Sequence, residues 1–264
     1  TARLQSMAEV WRDTVSATDA ELFDRIRADG IDILVDLSGH TANNRLPVFA
    51  RRAAPVQISW IGYPATTGLT RMDYRITDEW ADPEGSSDQW HSEDLLRLDG
   101  GFLCYQAPPD APDIDARGDG PLTFGSFNNA SKISESVIDL WAQLLLQEPA
   151  SRLLLKSRQL ADENVCKRLR DAFGAKGVVE GRLVFRGRIE SRTDHFALYR
   201  SVDVALDTCP YNGTTTTCEA LWMGVPVVAL RGERHDLGRG RSPTLRRVLP
   251  AGARAQPTRS WRTR

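Results

Sequence analysis

The chain has 264 residues, 41% of them apolar and 26% charged, with a net charge of −1. That is long enough for two domains and ordinary in composition. The charge balance gives no reason for a nucleic-acid or membrane-surface partner, and no apolar run approaches the ~18 residues of a membrane span. Cys104, Cys166, Cys209 and Cys218 form no CxxC pair, and His40, His91, His195 and His235 are equally scattered. No disulfide frame, zinc site or other metal site is therefore expected, and the reading is a reduced, cytoplasmic protein. No signal peptide opens the chain, and its start at Thr1 without a methionine reads as a fragment.

Residues 19–29 place Leu22, Phe23 and Ile26 on one helical stripe, and Gly30 stops the helix. Ile31 to Leu37 is a mostly apolar run, expected to be a strand buried on both faces of a parallel sheet. It exits into Ser38-Gly39-His40-Thr41, so a glycine and a histidine stand where open α/β sheets bind ligands. His40 is a candidate there; a hydrogen-bonded structural histidine is the plainer alternative. Residues 43–52 read as a helix, Val56–Ile61 and Asp73–Asp78 as strands. The turn Gly62–Gly68 carries two threonines and either faces a phosphate or is only a tight turn.

Gln106 to Gly120 is rich in Pro, Asp and Gly and reads as a linker. It holds a D-x-D triplet, Asp113-Ile-Asp115, of the kind that holds a divalent metal on a diphosphate. In this acidic, proline-rich setting a solvated spacer is the expected role. A second alternating block then begins. Strands are expected at Leu122–Phe127, Arg152–Lys156, Arg182–Arg186, 202–207 and 225–230, with helices at 133–147, 161–173 and 195–200. Lys132 follows a strand's carboxyl end, so its ammonium can aim at a diphosphate and offset charge on a departing phosphate. A surface lysine is the alternative, and Arg192 and His195, past the third strand, are open to the same two readings.

The last crossover is the most chemical stretch. After Asp207 the chain breaks at Pro210, Asn212 and Gly213, then runs through Thr214, Thr215, Thr216 and Thr217 into a helix. Helix N-termini attract anions, the threonines add hydroxyls, and Gly213 lets a ligand approach the backbone. Glu219, one turn in, can accept from the two hydroxyls of a ribose. The alternative is that the threonines merely cap the helix. From Asp236 onward eight arginines face a single acid with little periodicity, which reads as a disordered or frame-shifted tail.

Several long motifs carry a resemblance. Residues 29–44, including Val35-Asp-Leu-Ser-Gly-His40, and residues 52–69, Phe124–Lys132 and Asp207–Pro226 are similar, in that order, to the catalytic region of protein O-GlcNAc transferases (glycosyltransferase family 41), and most to the SPINDLY-like branch. The resemblance covers about residues 1–235. It implies a GT-B fold: two Rossmann-like α/β domains with parallel sheets, here 1–105 on the acceptor side and 121–235 on the nucleotide side, the second truncated, with linker 106–120 and tail 236–264. It implies that Lys132 contacts the diphosphate beside Asn129, that Arg192 and His195 hold base and phosphate, that Thr214–Thr216 form the helix tip and that Glu219 holds the ribose. His40 becomes an acceptor-side candidate.

The implied reaction is inverting transfer from a nucleotide sugar to Ser or Thr hydroxyls of acceptor proteins, without a metal or cofactor. UDP-GlcNAc is the expected donor. The family's His-Thr-Thr is Thr214-Thr215-Thr216 here, and its ribose-binding aspartate is Glu219, departures that keep GDP-fucose open. A truncated, non-catalytic remnant is the third reading.

Overall fold

The computed structural model describes residues 2–114, 120–230 and 232. The chain divides into two compact units, Thr1–Glu79 with Pro83–Phe102, and Trp80–Asp82 with Leu103–Arg264. The arginine-rich stretch 236–264 and Asp115 of the D-x-D triplet lie outside the described residues.

In the first unit, α1 (Ala2–Gln5) and α2 (Asp19–Ala28) precede β1 (Ile33–Asp36), α3 (Leu46–Ala50), β2 (Val56–Ser59), β3 (Tyr74–Thr77) and β4 (Asp94–Arg97). A capping box starts α2: Thr18 Oγ1 accepts from the Glu21 amide, and the Glu21 carboxylate accepts from the Thr18 amide. The four strands are all parallel and lie in chain order, β1-β2-β3-β4. Strand β4 was not anticipated, because Asp94-Leu-Leu-Arg97 is too short to show a period.

The apolar core of this unit is small: Leu46, Phe49 and Met72, with Leu34 and Leu69 against them. Polar groups fill the rest. Gln57, fully buried, donates to the carbonyls of Phe49 and Arg71 and accepts from the Ala53 amide. Arg75, 1% exposed, donates to the carbonyls of Tyr63 and Ala65. The expectation for β1 is corrected here: Ile33 is 58% exposed and Val35 41%, so the strand is not buried on both faces. Period-2 geometry sends Leu34, which packs on Leu46, Phe49 and Met72, and Asp36 inward and the other pair outward.

In the second unit, β5 (Thr123–Ser126), α4 (Glu135–Gln147), β6 (Arg152–Lys156), α5 (Glu163–Gly174), β7 (Leu183–Arg186), α6 (Arg192–Ala197), β8 (Val204–Leu206), α7 (Thr215–Trp222) and β9 (Val227–Val228) follow one another. All pairings are parallel, in the order β7-β6-β5-β8-β9. Two apolar clusters sandwich the sheet. Leu153 and Leu155 of β6 face Trp141, Leu145, Leu169 and Phe173. Leu154 between them faces the opposite cluster with Phe196, Tyr199 and Met223. The run Leu153-Leu154-Leu155 is continuous because both faces are covered.

The proline-rich stretch 106–120 is not a free spacer where it is described. Asp110 pairs with Arg192 at 2.7 Å, its carbonyl accepts from Thr193, and the Asp113 carbonyl accepts from Arg200 at 2.8 Å. Both aspartates, D-x-D's Asp113 included, thus lie along α6 and the turn after it.

Candidate nucleotide-sugar site

Strand order reverses between β5 and β8, because the chain builds β6 and β7 on one side of β5 and β8 and β9 on the other. At such a reversal the loops leaving two adjacent strands run apart and leave a crevice at the carboxyl edge. A shallow cleft opens there, lined among others by Ser126, Asn128, Asp207 and Thr216.

Asp207 ties the crevice together. Its carboxylate accepts from the Gly213 amide at 2.7 Å, from Asn128 Nδ2 at 2.9 Å and from Asn212 Nδ2 at 3.0 Å. Asn128 Oδ1 in turn accepts from Thr216 Oγ1 at 3.0 Å. The β5 exit and the turn into α7, about eighty positions apart in sequence, are thereby fixed on each other. Gly213 fits this crossing tightly: a Cβ there would fall 2.2 Å from Thr216 Oγ1 and 2.3 Å from Asn128 Oδ1, so one of those side chains would have to shift.

Lys132 arrives from the β5 side. Its Nζ donates to the Asn212 carbonyl at 3.1 Å and sits 4.2 Å from the Tyr211 ring centroid. The ammonium therefore stands two residues ahead of Thr214, the N-cap of α7. A cation and a helix N-terminus at one crevice make an anion site.

The threonines divide their work. Thr216 is spent on Asn128, and Thr217 Oγ1 donates back to the Gly213 carbonyl at 3.0 Å. Thr214 does not cap the helix with its side chain, and Thr215 is exposed. Of the four hydroxyls expected on one spot, those of Thr216 and Thr217 are thus turned to the loop they stabilise.

Glu219, one turn into α7, is half of a second cluster. Its Oε2 lies 3.0 Å from His195 Nε2 and 3.1 Å from the Tyr199 hydroxyl, and both His195 and Glu219 side chains are 15% exposed. Burial, and then the Glu219 charge, push the Tyr199 phenol well above its ordinary value. Lys156, at the end of β6, is pulled down by burial and partly held up by Glu219.

The remaining candidates sit elsewhere. Asn129 Oδ1 accepts from the Ser131 amide and from Gln159 Nε2 at 2.8 Å, so Asn128, not Asn129, faces the crevice. Arg192 is engaged with Asp110. His40 belongs to the first unit, exposed, with Nε2 2.9 Å from the Thr67 carbonyl and its ring edge-on to Tyr63.

This geometry has close parallels. The profile described as Glycosyl transferase family 41 matches residues 10–105 and 116–238. The chain belongs to glycosyltransferase family 41. Among relatives of this family-41 chain, a Petunia hybrida protein named "Probable UDP-N-acetylglucosamine--peptide N-acetylglucosaminyltransferase SPINDLY" is 45% identical over 86% of the chain and 24% of its own length. The SEC protein of Arabidopsis thaliana, named with the same activity, is 31% identical over 88% of the chain and 24% of its own length. The chain thus spans about a quarter of the curated relatives it matches. A solved mutant O-GlcNAc transferase from Thermobaculum terrenum superposes with a TM-score of 0.87 at 46% identity, over 94% of this chain and 46% of that one. A lipopolysaccharide galactosyltransferase, WaaB, shares the fold alone, with a TM-score of 0.50 at 14% identity. The fold is α/β with parallel sheets, of GT-B type.

Sequence reasoning passed over Asn128 and Asp207 at this crevice. Asp207 carried a signal, as the last residue of an alternating strand before a glycine turn. Asn128 and Asn129 are chemically identical neighbours, and only the turn decides between them. Among the described residues no helix is long and apolar enough to cross a membrane.

Proposed function

We propose that the chain is catalytic sequence of a protein glycosyltransferase that moves a sugar from a nucleoside-diphosphate donor, UDP-GlcNAc, to Ser or Thr hydroxyls of acceptor proteins with inversion. The observation that carries this reading is the Lys132 ammonium beside the α7 N-terminus. The names of the relatives at 45% and 31% identity support the donor and the protein acceptor.

In this reading the acceptor oxygen attacks the anomeric carbon as the bond to the diphosphate breaks. Lys132 and the α7 N-terminus offset the charge that builds on the leaving phosphate, which requires no metal. Thr214 and Thr215 add donors there. Glu219 accepts from the ribose, with His195 beside it, and Arg192 reaches the nucleotide once it leaves Asp110. Asn129 serves by holding the Ser131 turn that presents Lys132, and His40 serves the acceptor side.

A second donor, GDP-fucose, is favoured by Thr214 and Glu219, the two positions that depart from the family's His and Asp. Isothermal titration of the chain with UDP and with GDP tests both readings. Binding of UDP that Lys132→Met weakens at least tenfold supports the first. A preference for GDP supports the second. Binding of neither defeats both and leaves a non-catalytic remnant.

A further inference from the structure

The two oxygens of Glu219 are used unequally. Oε2 lies 3.0 Å from His195 Nε2 and 3.1 Å from the Tyr199 hydroxyl. Oε1 accepts no hydrogen bond among the described residues and stays within reach of solvent. An ionised carboxylate oxygen has two lone pairs to offer, so one side of this group is filled by the protein and the other is open.

Both partners of Oε2 are themselves held. Tyr199, in the turn after α6, is 2% exposed, and its ring centroid lies 4.3 Å from that of Phe127 at the β5 exit. Its hydroxyl also reaches the Thr216 carbonyl in the first turn of α7 at 3.2 Å, and the residue lines the cleft with Asn128, Asp207 and Thr216. The phenol thus fixes the Glu219 side chain to the turn that carries the threonines. On the other flank, His195 Nδ1 is buried without a partner. The tautomer with its proton on Nε2 is therefore the one that leaves no N–H unpaired, and that proton goes to Glu219. A free glutamate side chain must be ordered each time a ligand binds; one already pinned through Oε2 is not.

We infer that Tyr199 is a positioning residue: by holding Oε2 it aims Oε1 of Glu219 at the two hydroxyls of a ribose, and so makes the site select ribonucleoside over deoxyribonucleoside diphosphates. This rests on the nucleotide-site reading above. The chemistry matches, since a carboxylate oxygen only accepts and each hydroxyl of a vicinal diol can donate to it. Tyr199 does not meet the ligand and acts only through Glu219. Phenylalanine in its place keeps the ring against Phe127 and removes the hydroxyl alone, so packing and positioning can be told apart.

The test is Tyr199→Phe in the full chain, titrated with UDP, GDP and their 2′,3′-dideoxy counterparts, with thermal unfolding followed in the absence of nucleotide. Wild type should bind the ribonucleotide more tightly than its dideoxy counterpart. Losing one hydrogen bond to the carboxylate should weaken ribonucleotide binding roughly three- to tenfold and leave dideoxynucleotide binding unchanged, whatever the Tm does. In a Glu219→Ala background the same substitution should no longer alter affinity. Equal losses for both sugar forms, no loss for either, or a loss that persists without Glu219 would overturn the positioning role and leave the nucleotide site standing. If wild type binds neither UDP nor GDP, the inference fails together with the site.

Discussion

The two units use the same alternation of strands and helices and hold it together differently. The first has four parallel strands in chain order, a small apolar core and a network of buried polar side chains. The second has five parallel strands, two apolar clusters and a reversal of strand order. Among the described strands, only those of the second unit therefore have a crevice that topology alone creates, and that is where Lys132, Asp207 and the α7 tip converge. The lesson is that a ligand site of this kind follows from the order in which strands are added. The amount of apolar core decides how rigidly that site is held.

The comparison can be broken most directly at the cores. Leu155→Ala, at a fully buried position of β6, should cost about 2–5 kcal/mol. Hydrogen exchange would localise the loss to the second unit, and protection unchanged there would refute the packing described. Next in size is the site. Lys132→Met should lower the proposed sugar transfer about 10²- to 10³-fold at unaltered Tm. Asparagine at His40, whose ring nitrogen rests on a carbonyl, should cost less.

The polar wiring of the first unit gives the third test. Gln57→Ala leaves the Phe49 and Arg71 carbonyls and the Ala53 amide without that partner, and should destabilise the first unit by about 1–3 kcal/mol.

The same wiring gives a pH dependence. Burial would raise the Glu93 carboxyl, but hydrogen bonds from Thr67 and Thr66 outweigh it and hold the group below its ordinary 4.5. A depressed folded value contributes stability above the ordinary value and loses it as pH falls through the folded one. Protection of β3 and β4 should therefore fade below about pH 4.5, less steeply in Glu93→Gln. Smallest of all, Val35→Thr should move stability by no more than about 0.5 kcal/mol. A larger loss would mean that this face of β1 is covered.

Much of the second unit was legible. All five strands fell within or across the anticipated segments, because apolar runs bounded by Gly, Pro and Asn are a local signal. Lys132 and the Thr214 turn were legible for the same reason: each stands at a strand exit. The division of labour among the threonines was not, since it depends on which hydroxyl faces Asn128 across the turn. Nor was the exposure of Ile33 and Val35. A sequence shows that a strand is apolar; whether a helix covers each face is a property of the packed unit.

Periodicity, glycine placement and helix-start chemistry act over a few residues, so the sequence alone determined the α/β alternation and the positions of the strand exits. Which exits meet was decided by the tertiary structure, because strand order is set by packing between segments far apart in the chain. That packing alone brought Lys132 to Asn212, made Asp207 the bracket of the crevice and laid the proline-rich strap along α6.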